Sequence, residues 1–409
     1  MDLFKVETLE NALRLMQEAF GEARTGTEAV PLTEALGRIA AETVRGLEPV
    51  PHFARSVVDG YALRAADTFG AGESSPAFLT LTGAVEMGGG AGVPVTPGQA
   101  VYVPTGGALP AGADAVIMVE YAEPFGTETV ALYRPAAPGE NVMGVGEDAG
   151  IGEILFPAGW RLRPQDIGLL AAVGLARVTV ARRPRVTILS TGDELVSPEE
   201  TPGPGQVRDI NTYTLGALSE AAGCRVIRRS VTADQPERLR GAVAEALLDS
   251  DLILMSGGSS VGLKDHTATV LASFPDSRVL VHGLAVKPGK PTVMARVQGK
   301  PVFGLPGQPA SAMMVFKGAV EPFIRQLTGE APGPDASLEA LLTVNLPSAP
   351  GRTTFQLVTL ELREGVRWAA PVYGKSGMIS LMGRAHGYIR IESRTEGLLK
   401  GAPVRVTLL

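Results

Sequence analysis

Cysteine is nearly absent from the sequence. Cys224 is the only one among 409 residues, which excludes an intrachain disulfide and a zinc site built from several cysteines. A protein without disulfides suits a reducing compartment, so we expect it in the cytoplasm. Histidine is also scarce, and the four residues His52, His266, His282 and His386 lack the spacing of metal ligands.

An excess of positive charge and long apolar runs are missing too. The formal net charge is -6, whereas a nucleic-acid partner would require a broad basic face. No run approaches the ~18 apolar residues of a membrane-spanning helix. The first twenty residues carry acids and apolar positions at helical spacing, which indicates an amphipathic helix and not a signal peptide. We therefore expect a soluble protein with neither nucleic-acid nor membrane partners.

Several common catalytic patterns are missing as well. No Gly-x-Gly-x-x-Gly motif opens a strand–helix–strand unit, and no Gly-Lys-Ser/Thr loop occurs. Ser190 and Ser256 lack a nearby histidine signature for a nucleophilic serine. Dinucleotide binding, P-loop chemistry and triad hydrolysis are therefore disfavoured.

The length predicts several domains. Helical patterns before Arg45, broken at Val30-Pro31, return at Arg163–Leu170, which suggests one discontinuous domain over residues 1–45 and 146–180. Short β-rich runs separated by Gly and Pro predict an inserted β domain over 46–145, with strands too short for a parallel sheet.

The second half of the chain has a different pattern of predicted elements. Strand, loop and helix alternate over 181–328, with helices near Thr212–Ala222, Pro236–Leu248 and Ala310–Leu327, so we expect an α/β domain with a mostly parallel sheet. Linker-like composition follows at 329–336. The β-like tail, 335–409, predicts a small β-barrel or sandwich.

Three glycine-bearing loops follow predicted strands of the α/β domain. Ligands of open α/β sheets bind at that edge, and free N–H groups of such loops can hold an anion. Alternatively, the glycines only turn the chain. The predicted ligand-binding residues of these loops, together with one lysine of the Lys-Pro-Gly-Lys-Pro segment, are Thr191, Gly192, Ser256, Gly257, Gly258, Ser259, Ser260, Pro306, Gly307 and Lys290.

Charged side chains accompany the loops. Glu194, Asp234 and Asp265 are carboxylates of the kind that hold Mg²⁺ beside phosphates, although an isolated acid is more often a solvated surface group. Lys287 and Lys290 can supply counter-charge for phosphate or an oxyanion. The alternative for these two lysines is an exposed basic turn.

Taken together, seven segments resemble the MoeA family and the related E domain of gephyrin, in the family's order. The most specific is the Ser-x-x-Asp-Gly-Tyr-Ala signature. The segments are Pro51–Ala62, Pro104–Gly107, Gly146–Asp148, Ser190–Leu195, Ser256–Gly262, Lys287–Pro291 and Leu305–Pro309.

The resemblance implies a fold and an activity. The fold comprises an elongated helical N-terminal domain, an inserted small β domain, a MogA-like α/β domain and a C-terminal β-barrel. The activity is Mg²⁺-dependent insertion of molybdate into adenylyl-molybdopterin with release of AMP, by a molybdopterin molybdenumtransferase. The resemblance further implies a homodimer with shared active sites, and contacts with MogA-type and molybdoenzyme-maturation proteins.

The resemblance also assigns site residues. The metal ligands that it implies are Glu194 and Asp265. This chain has Gly283 where the family pattern leads us to expect a basic residue, so His282 or Lys290 would have to supply that charge. The residues implied to form the catalytic site, from the two subunits together, are Asp59, Thr105, Asp148, Glu194, Asp234, Asp265, Lys287, Arg352 and Ser376.

Two other functions remain possible at this stage. A MogA-like adenylyltransferase would share the α/β domain but would consume ATP. A scaffold protein like the gephyrin E domain would bind partners without turnover. The inserted β domain and the β tail favour the transferase over the adenylyltransferase.

Overall fold

The computed structural model describes residues 6–257, 266–333 and 336–409. Its helices are α1 (Leu9–Phe20), α2 (Pro164–Ala172), α3 (Asn211–Ala221), α4 (Pro236–Asp249), α5 (His266–Ala272), α6 (Pro309–Val315), α7 (Glu321–Thr328) and α8 (Ser380–Arg384). Within these ranges, no helix is long and apolar enough to cross a bilayer.

The strands fall into three groups along the chain. The first part contains β1 (Thr27–Pro31), β2 (Val44–Arg45), β3 (Arg55–Ser56), β4 (Gly60–Leu63), β5 (Ala77–Ala84), β6 (Gln99–Val103), β7 (Ala115–Met118), β8 (Ala122–Phe125), β9 (Thr129–Leu132), β10 (Val142–Met143), β11 (Ile154–Phe156) and β12 (Arg177–Ala181). The middle part contains β13 (Arg185–Thr191), β14 (Leu195–Val196), β15 (Val207–Arg208), β16 (Arg225–Thr232), β17 (Leu252–Ser256), β18 (Ser277–His282), β19 (Val286–Lys287), β20 (Val293–Val297) and β21 (Lys300–Leu305). The last part contains β22 (Ser337–Leu342), β23 (Leu346–Pro347), β24 (Thr353–Arg363), β25 (Val366–Pro371), β26 (Gly387–Ile391), β27 (Gly397–Leu398) and β28 (Pro403–Leu408).

Two distant pieces of the chain form one N-terminal core. Strand β1 pairs antiparallel with β12, and β2 pairs with β11. Val30, Phe156, Leu162 and Leu170 are buried in the same hydrophobic cluster. The helical expectation was wrong for residues 27–31, which form a strand because they pair along their whole length with β12.

Helix α1 has the predicted amphipathic pattern but a different partner. The Thr8 side chain accepts a hydrogen bond from the backbone N–H of Asn11 at 3.2 Å and caps the helix. Its buried face joins the core of the α/β unit, where the rings of Phe20 and Phe323 meet edge-on with centroids 5.5 Å apart. The expectation that the N-terminal helical pieces pack together was therefore wrong for α1, because periodicity identifies the buried face and not its partner.

The inserted β domain is a six-stranded sheet in the order β7-β4-β6-β5-β9-β8. Most neighbours are antiparallel, but β5 and β6 are parallel. The expectation that its strands are too short for parallel pairing was wrong at this pair. The intervening loop of residues 85–98 carries the chain back across the sheet, so a parallel neighbour needs no helix.

The α/β unit is built on a six-stranded sheet in the order β16-β13-β17-β21-β20-β18. Strands β16, β13, β17 and β21 are parallel to one another, and β20 is antiparallel to both of its neighbours, β21 and β18. The mostly parallel sheet is therefore confirmed. The predicted helix over 310–327 is also present, although a π-helical turn at Phe316–Val320 separates α6 from α7.

The tail is a closed five-stranded barrel, as predicted. Strands β24, β25, β22, β28 and β26 follow one another, and β26 pairs back with β24. Strand β19, which belongs to the Lys-Pro-Gly-Lys-Pro segment, extends this sheet by parallel pairing with β24. The barrel is thus joined to the loops at one edge of the α/β sheet.

Candidate active site

The carboxyl ends of three parallel strands align at one edge of the α/β sheet. In the register, Ser190 lies beside Ser256, and Ser256 lies beside Leu305. The loops that follow these strands therefore start at the same level. A glycine is required in the second loop because Gly257 has a φ of +97°, and a Cβ there would lie 2.0 Å from the carbonyl oxygen of Thr191.

A buried asparagine connects two of these loops. The side-chain amide of Asn211 donates to the Ser256 hydroxyl at 2.6 Å and to the carbonyl oxygen of Gly307 at 2.8 Å. Ser256, which the sequence predicts to bind ligand, is itself buried. Sequence reasoning missed Asn211, which begins α3 and belongs to none of the glycine loops.

A cavity of about 1180 Å³ opens between these loops and the barrel. Its lining brings together residues predicted from separate motifs and from both structural units. Those in common with the predicted site are Thr191, Gly192, Glu194, Asp234, Gly257, Lys287, Lys290, Pro306, Gly307, Arg352 and Ser376.

One side of the cavity is positively charged. Within the described ranges, Lys287, Lys290 and Arg352 form no ion pair. The barrel positions two of these cations, since Lys287 pairs in register with Thr354 and Arg352 directly precedes strand β24. Three unpaired cations around one cavity can attract an anionic ligand.

The cavity lining also includes two carboxylates, Glu194 and Asp234. Glu194 folds back over Gly192, where an added Cβ would lie 2.7 Å from a carboxylate oxygen. The backbone N–H of Asp234 donates to a carboxylate oxygen of Asp193 at 3.2 Å, while Asp234 Oδ1 is buried and has no hydrogen-bond partner among the described residues. In the part of the chain that the structure describes, no cluster of three or more acidic, histidine or cysteine side chains forms a ready metal site.

Two glutamines of the cavity were not predicted. Gln308 contacts the Ser376 hydroxyl, and the backbone N–H of Ala310 donates to the Ser376 carbonyl at 3.2 Å, so α6 and the barrel touch at the rim. Gln356 donates to the carbonyl oxygens of Leu357 and Val372, each at 2.9 Å. Gln308 lies inside a motif that sequence analysis had singled out, whereas Gln356 sits in a barrel strand without any local signal.

Three predicted site residues lie outside this cavity, all exposed on or beside the inserted domain. Asp59 accepts hydrogen bonds from the backbone N–H of Thr105 at 2.7 Å and from its hydroxyl at 3.1 Å. Asp148 lies on the neighbouring return segment. None of the three lines the large cavity of the same chain.

Some predictions fall on residues that cannot be placed in the site. Gly258, Ser259, Ser260 and Asp265 lie outside the described residues. The family pattern leads us to expect a basic residue where this chain has Gly283. Of the two residues that could supply that charge instead, Lys290 lines the cavity and His282 does not. Lys290 is therefore the better candidate to supply that charge.

Cys224 is buried, as expected for a residue without a chemical role. Burial, helped by the nearby carboxylate of Asp251, raises the pKa of its thiol to about 12. The thiolate is thereby disfavoured at neutral pH.

Comparison with known proteins gives consistent matches along the chain. Residues 7–174 match the MoeA N-terminal region (domain I and II), residues 187–326 match a probable molybdopterin binding domain, and residues 339–409 match the MoeA C-terminal region (domain IV). Together, the three matches cover all the structural units described above.

Relatives and solved structures agree with these matches. A molybdopterin molybdenumtransferase of Bacillus subtilis is 33% identical over 94% of this chain and 90% of its own length. That of Haemophilus influenzae is 34% identical over 81% of each chain. The crystal structure of a molybdopterin biosynthesis MoeA protein from Pyrococcus horikoshii superposes with a TM-score of 0.86 at 33% identity, covering 99% of this chain and 100% of that one. The chain belongs to the MoeA family.

Proposed function

We propose that this chain is a molybdopterin molybdenumtransferase that inserts molybdate into adenylyl-molybdopterin and releases AMP. The observation that carries this proposal is the large cavity, whose lining combines three cations without ion-pair partners among the described residues, two carboxylates and the glycine loops. The names of the relatives from Bacillus subtilis and Haemophilus influenzae support the transferase class.

Both substrates carry negative charge, so the site must supply positive charge and N–H donors. Lys287 is a compact cation fixed by its pairing with strand β24, and we assign it to molybdate. Thr191, Gly192 and Gly257 are assigned to the adenylylated pterin because they line the cavity on loops where glycine lets a phosphate approach the backbone. Arg352 offers a planar guanidinium for a second phosphate contact.

The carboxylate side of the cavity fits a magnesium ion. Glu194 and Asp234 both line the cavity, and Asp234 Oδ1 is buried without a hydrogen-bond partner in the described structure. Mg²⁺ in phosphate sites commonly uses one or two carboxylates together with phosphate oxygens and waters. We propose Glu194 and Asp265 as ligands, with Asp234 beside them. The ion would neutralise phosphate charge.

The reaction requires no nucleophile from the protein. The two dithiolene sulfurs displace two oxygens of molybdate, which leave as water, and a water molecule cleaves the phosphoanhydride so that AMP is released. The tasks of the protein are to bind the two anions, to hold them in one orientation and to balance their charge. The residues of the cavity are suited to these tasks.

We further propose that the enzyme is a homodimer with shared active sites. Asp59, Thr105 and Asp148 are exposed and stand apart from the cavity of their own chain. Phe53 and Val57, on the same segment as Asp59, are also exposed, at 49% and 43%. Apolar side chains beside charged site residues are typical of a surface that another subunit covers.

The test is to measure AMP release from adenylyl-molybdopterin with and without molybdate and Mg²⁺. We expect release that depends on both. A parallel reaction contains ATP and unmodified molybdopterin, and consumption of ATP there would instead indicate an adenylyltransferase. Absence of turnover in both reactions would contradict the proposal and favour a binding or scaffold role.

A further inference from the structure

A second charged cavity lies at the opposite end of the α/β sheet. It has a volume of about 380 Å³ and is lined by five arginines, Arg38, Arg182, Arg183, Arg185 and Arg225, which we call the arginine cavity. Arg185 and Arg225 begin strands β13 and β16 and are partners in the register. Strand β13 ends at Thr191 in the candidate active site, so roughly 20 Å of strand separates the two cavities.

Three carboxylates only partly compensate these arginines. Arg182 holds Asp251 through two contacts of 2.9 and 3.0 Å, and Arg185 lies 3.5 Å from the same carboxylate. Arg38 contacts Glu28. The remaining carboxylate, that of Glu34 on the cavity wall, forms no ion pair with the described residues.

Arg183 and Arg225 have no ion-pair partner in the described part of the chain. Two carboxylates line the cavity and Asp251 pairs with Arg182 beside it, so five guanidinium groups are balanced by three carboxylates, which leaves an excess of two positive charges. An uncompensated pair of arginines beside already paired ones is unfavourable for the empty protein, because like charges repel. An anion that bridged the two would remove this repulsion.

The cavity walls are also pre-organised. Arg38 is only 7% exposed, and its guanidinium donates to the carbonyl oxygen of Ala181 at 2.9 Å. The Nε of Arg185 is buried and forms no hydrogen bond within the described residues, although it lies 3.5 Å from the carboxylate of Asp251. Arg183 and Arg225 are themselves exposed, so the fixed guanidinium groups are those of Arg38 and Arg182. A fixed guanidinium loses less side-chain entropy when it binds an oxyanion than a flexible one does.

From this cavity, its charge and its fixed walls, we propose that the arginine cavity binds a small phosphate-bearing anion, separately from the candidate active site. The excess of two positive charges matches a phosphate dianion, and the planar guanidinium fork matches its oxygens. The volume lies near the lower end of the range for small-ligand sites, about 300 to 1,000 Å³. Inorganic phosphate and a nucleoside monophosphate share this chemistry.

The experiment measures the binding of inorganic phosphate and of AMP by isothermal titration calorimetry at low ionic strength, where exposed charges are least screened. The starting protein is the full-length variant Lys287→Ala/Lys290→Ala, in which the cations of the active-site loop are removed. We expect it to retain binding of one anion per chain. Adding Arg183→Gln/Arg225→Gln should weaken that affinity about tenfold or more.

A matched control separates the site from general charge. Arg367 and Arg405 are exposed on barrel strands and form no ion pair in the described structure, so Arg367→Gln/Arg405→Gln makes the same charge change elsewhere. This control should bind as tightly as the starting protein. Tighter binding of AMP than of phosphate would identify a nucleotide ligand, and equal binding would identify phosphate itself.

Two results would overturn the proposal. One is that no anion binds once the active-site lysines are removed, which would assign all binding to the candidate active site. The other is that the Arg183 and Arg225 changes and the barrel control weaken binding equally, which would reduce the effect to net charge. Thermal unfolding of each variant checks that the fold is intact, and exposed arginine changes of this kind should alter it little.

Discussion

Lys287 stands opposite Thr354 where strand β19 of the α/β unit pairs with strand β24 of the barrel. Beside this pair, the backbone N–H of Thr353 donates to the carbonyl oxygen of Ala285 at 2.9 Å. The main cation of the cavity is therefore held by a strand of another structural unit. A position fixed in this way suits a group that must meet one small anion.

The first prediction concerns this lysine. Lys287→Ala should lower kcat/KM for molybdate about 100-fold, because a single donor to an anion in such a site is worth that much. Binding of the adenylylated pterin should fall far less, since the glycine loops remain. The measurement is AMP release over a range of molybdate concentrations, and high molybdate should partly restore the rate.

The control for this prediction is Lys400→Ala, which removes an exposed lysine from the barrel without touching the cavity. It should behave as the unmodified protein. If Lys287→Ala instead lost affinity for the pterin and gained nothing from added molybdate, Lys287 would hold a phosphate.

The second prediction concerns Gly257. An alanine there combines a φ of +97° with a Cβ only 2.0 Å from the Thr191 carbonyl oxygen. Gly205 has a φ of +82° but no atom within 4 Å of its Cβ position, so it isolates the conformational cost. We expect Gly205→Ala to lose roughly 1–2 kcal/mol of stability. Gly257→Ala should lose roughly 1–3 kcal/mol more, because the loop must move.

The comparison uses the urea midpoint of each variant, followed by circular dichroism, together with AMP release. Gly257→Ala should also lose most activity, whereas Gly205→Ala should keep it. Equal midpoints for the two variants would show that the loop accommodates a Cβ, and the close approach of Gly257 to Thr191 would then lack importance.

The alignment of the loops at one sheet edge was easier to predict than the packing around them. Thr191 ends a parallel strand, Gly257 and Pro306 follow parallel strands, and parallel strands bring their carboxyl ends to one edge, so local pattern sufficed for this alignment. Helix α1 was misassigned because its apolar face could suit any core. Gln356 was missed because a polar residue in a barrel strand carries no signal until the barrel closes against the loops.

The third prediction concerns pH and Asp166, whose side chain is 4% exposed. It accepts hydrogen bonds from the Trp160 ring at 2.9 Å and from the N–H of Arg163 at 2.9 Å. Burial alone would raise the pKa of Asp166, but hydrogen bonds from Arg163 and Trp160 outweigh it, and the pKa is lowered overall. The carboxylate therefore stabilises the fold above its ordinary pKa of ~3.9, and this contribution is lost as the pH falls through the lowered value.

Asp166→Asn should accordingly cost roughly 1–3 kcal/mol at neutral pH, the penalty for weakening a buried, charged hydrogen-bond acceptor. The difference between variant and parent should shrink as the pH falls below ~3.9. Trp160 fluorescence, in a Trp368→Phe background, reports urea unfolding of this region between neutral and acidic pH. An exposed-acid control, Glu199→Gln, should show no such convergence. A pH-independent difference for Asp166→Asn would assign its effect to packing alone.

The last prediction tests whether the active site is shared between subunits. Asp59 is exposed on the inserted domain, while Glu194 lines the cavity of the α/β unit, and no described residue of the inserted domain lines that cavity. Asp59→Ala and Glu194→Ala should each be inactive alone. In a two-fold dimer of one variant with the other, one site carries both changes and its counterpart carries neither. Random mixing gives about half heterodimers with one intact site each, so AMP release should recover to about a quarter of the parent rate. Mixing two differently tagged copies of Asp59→Ala should restore nothing. Inactive heterodimers, verified by both tags, would instead assign the two carboxylates to a site within one chain.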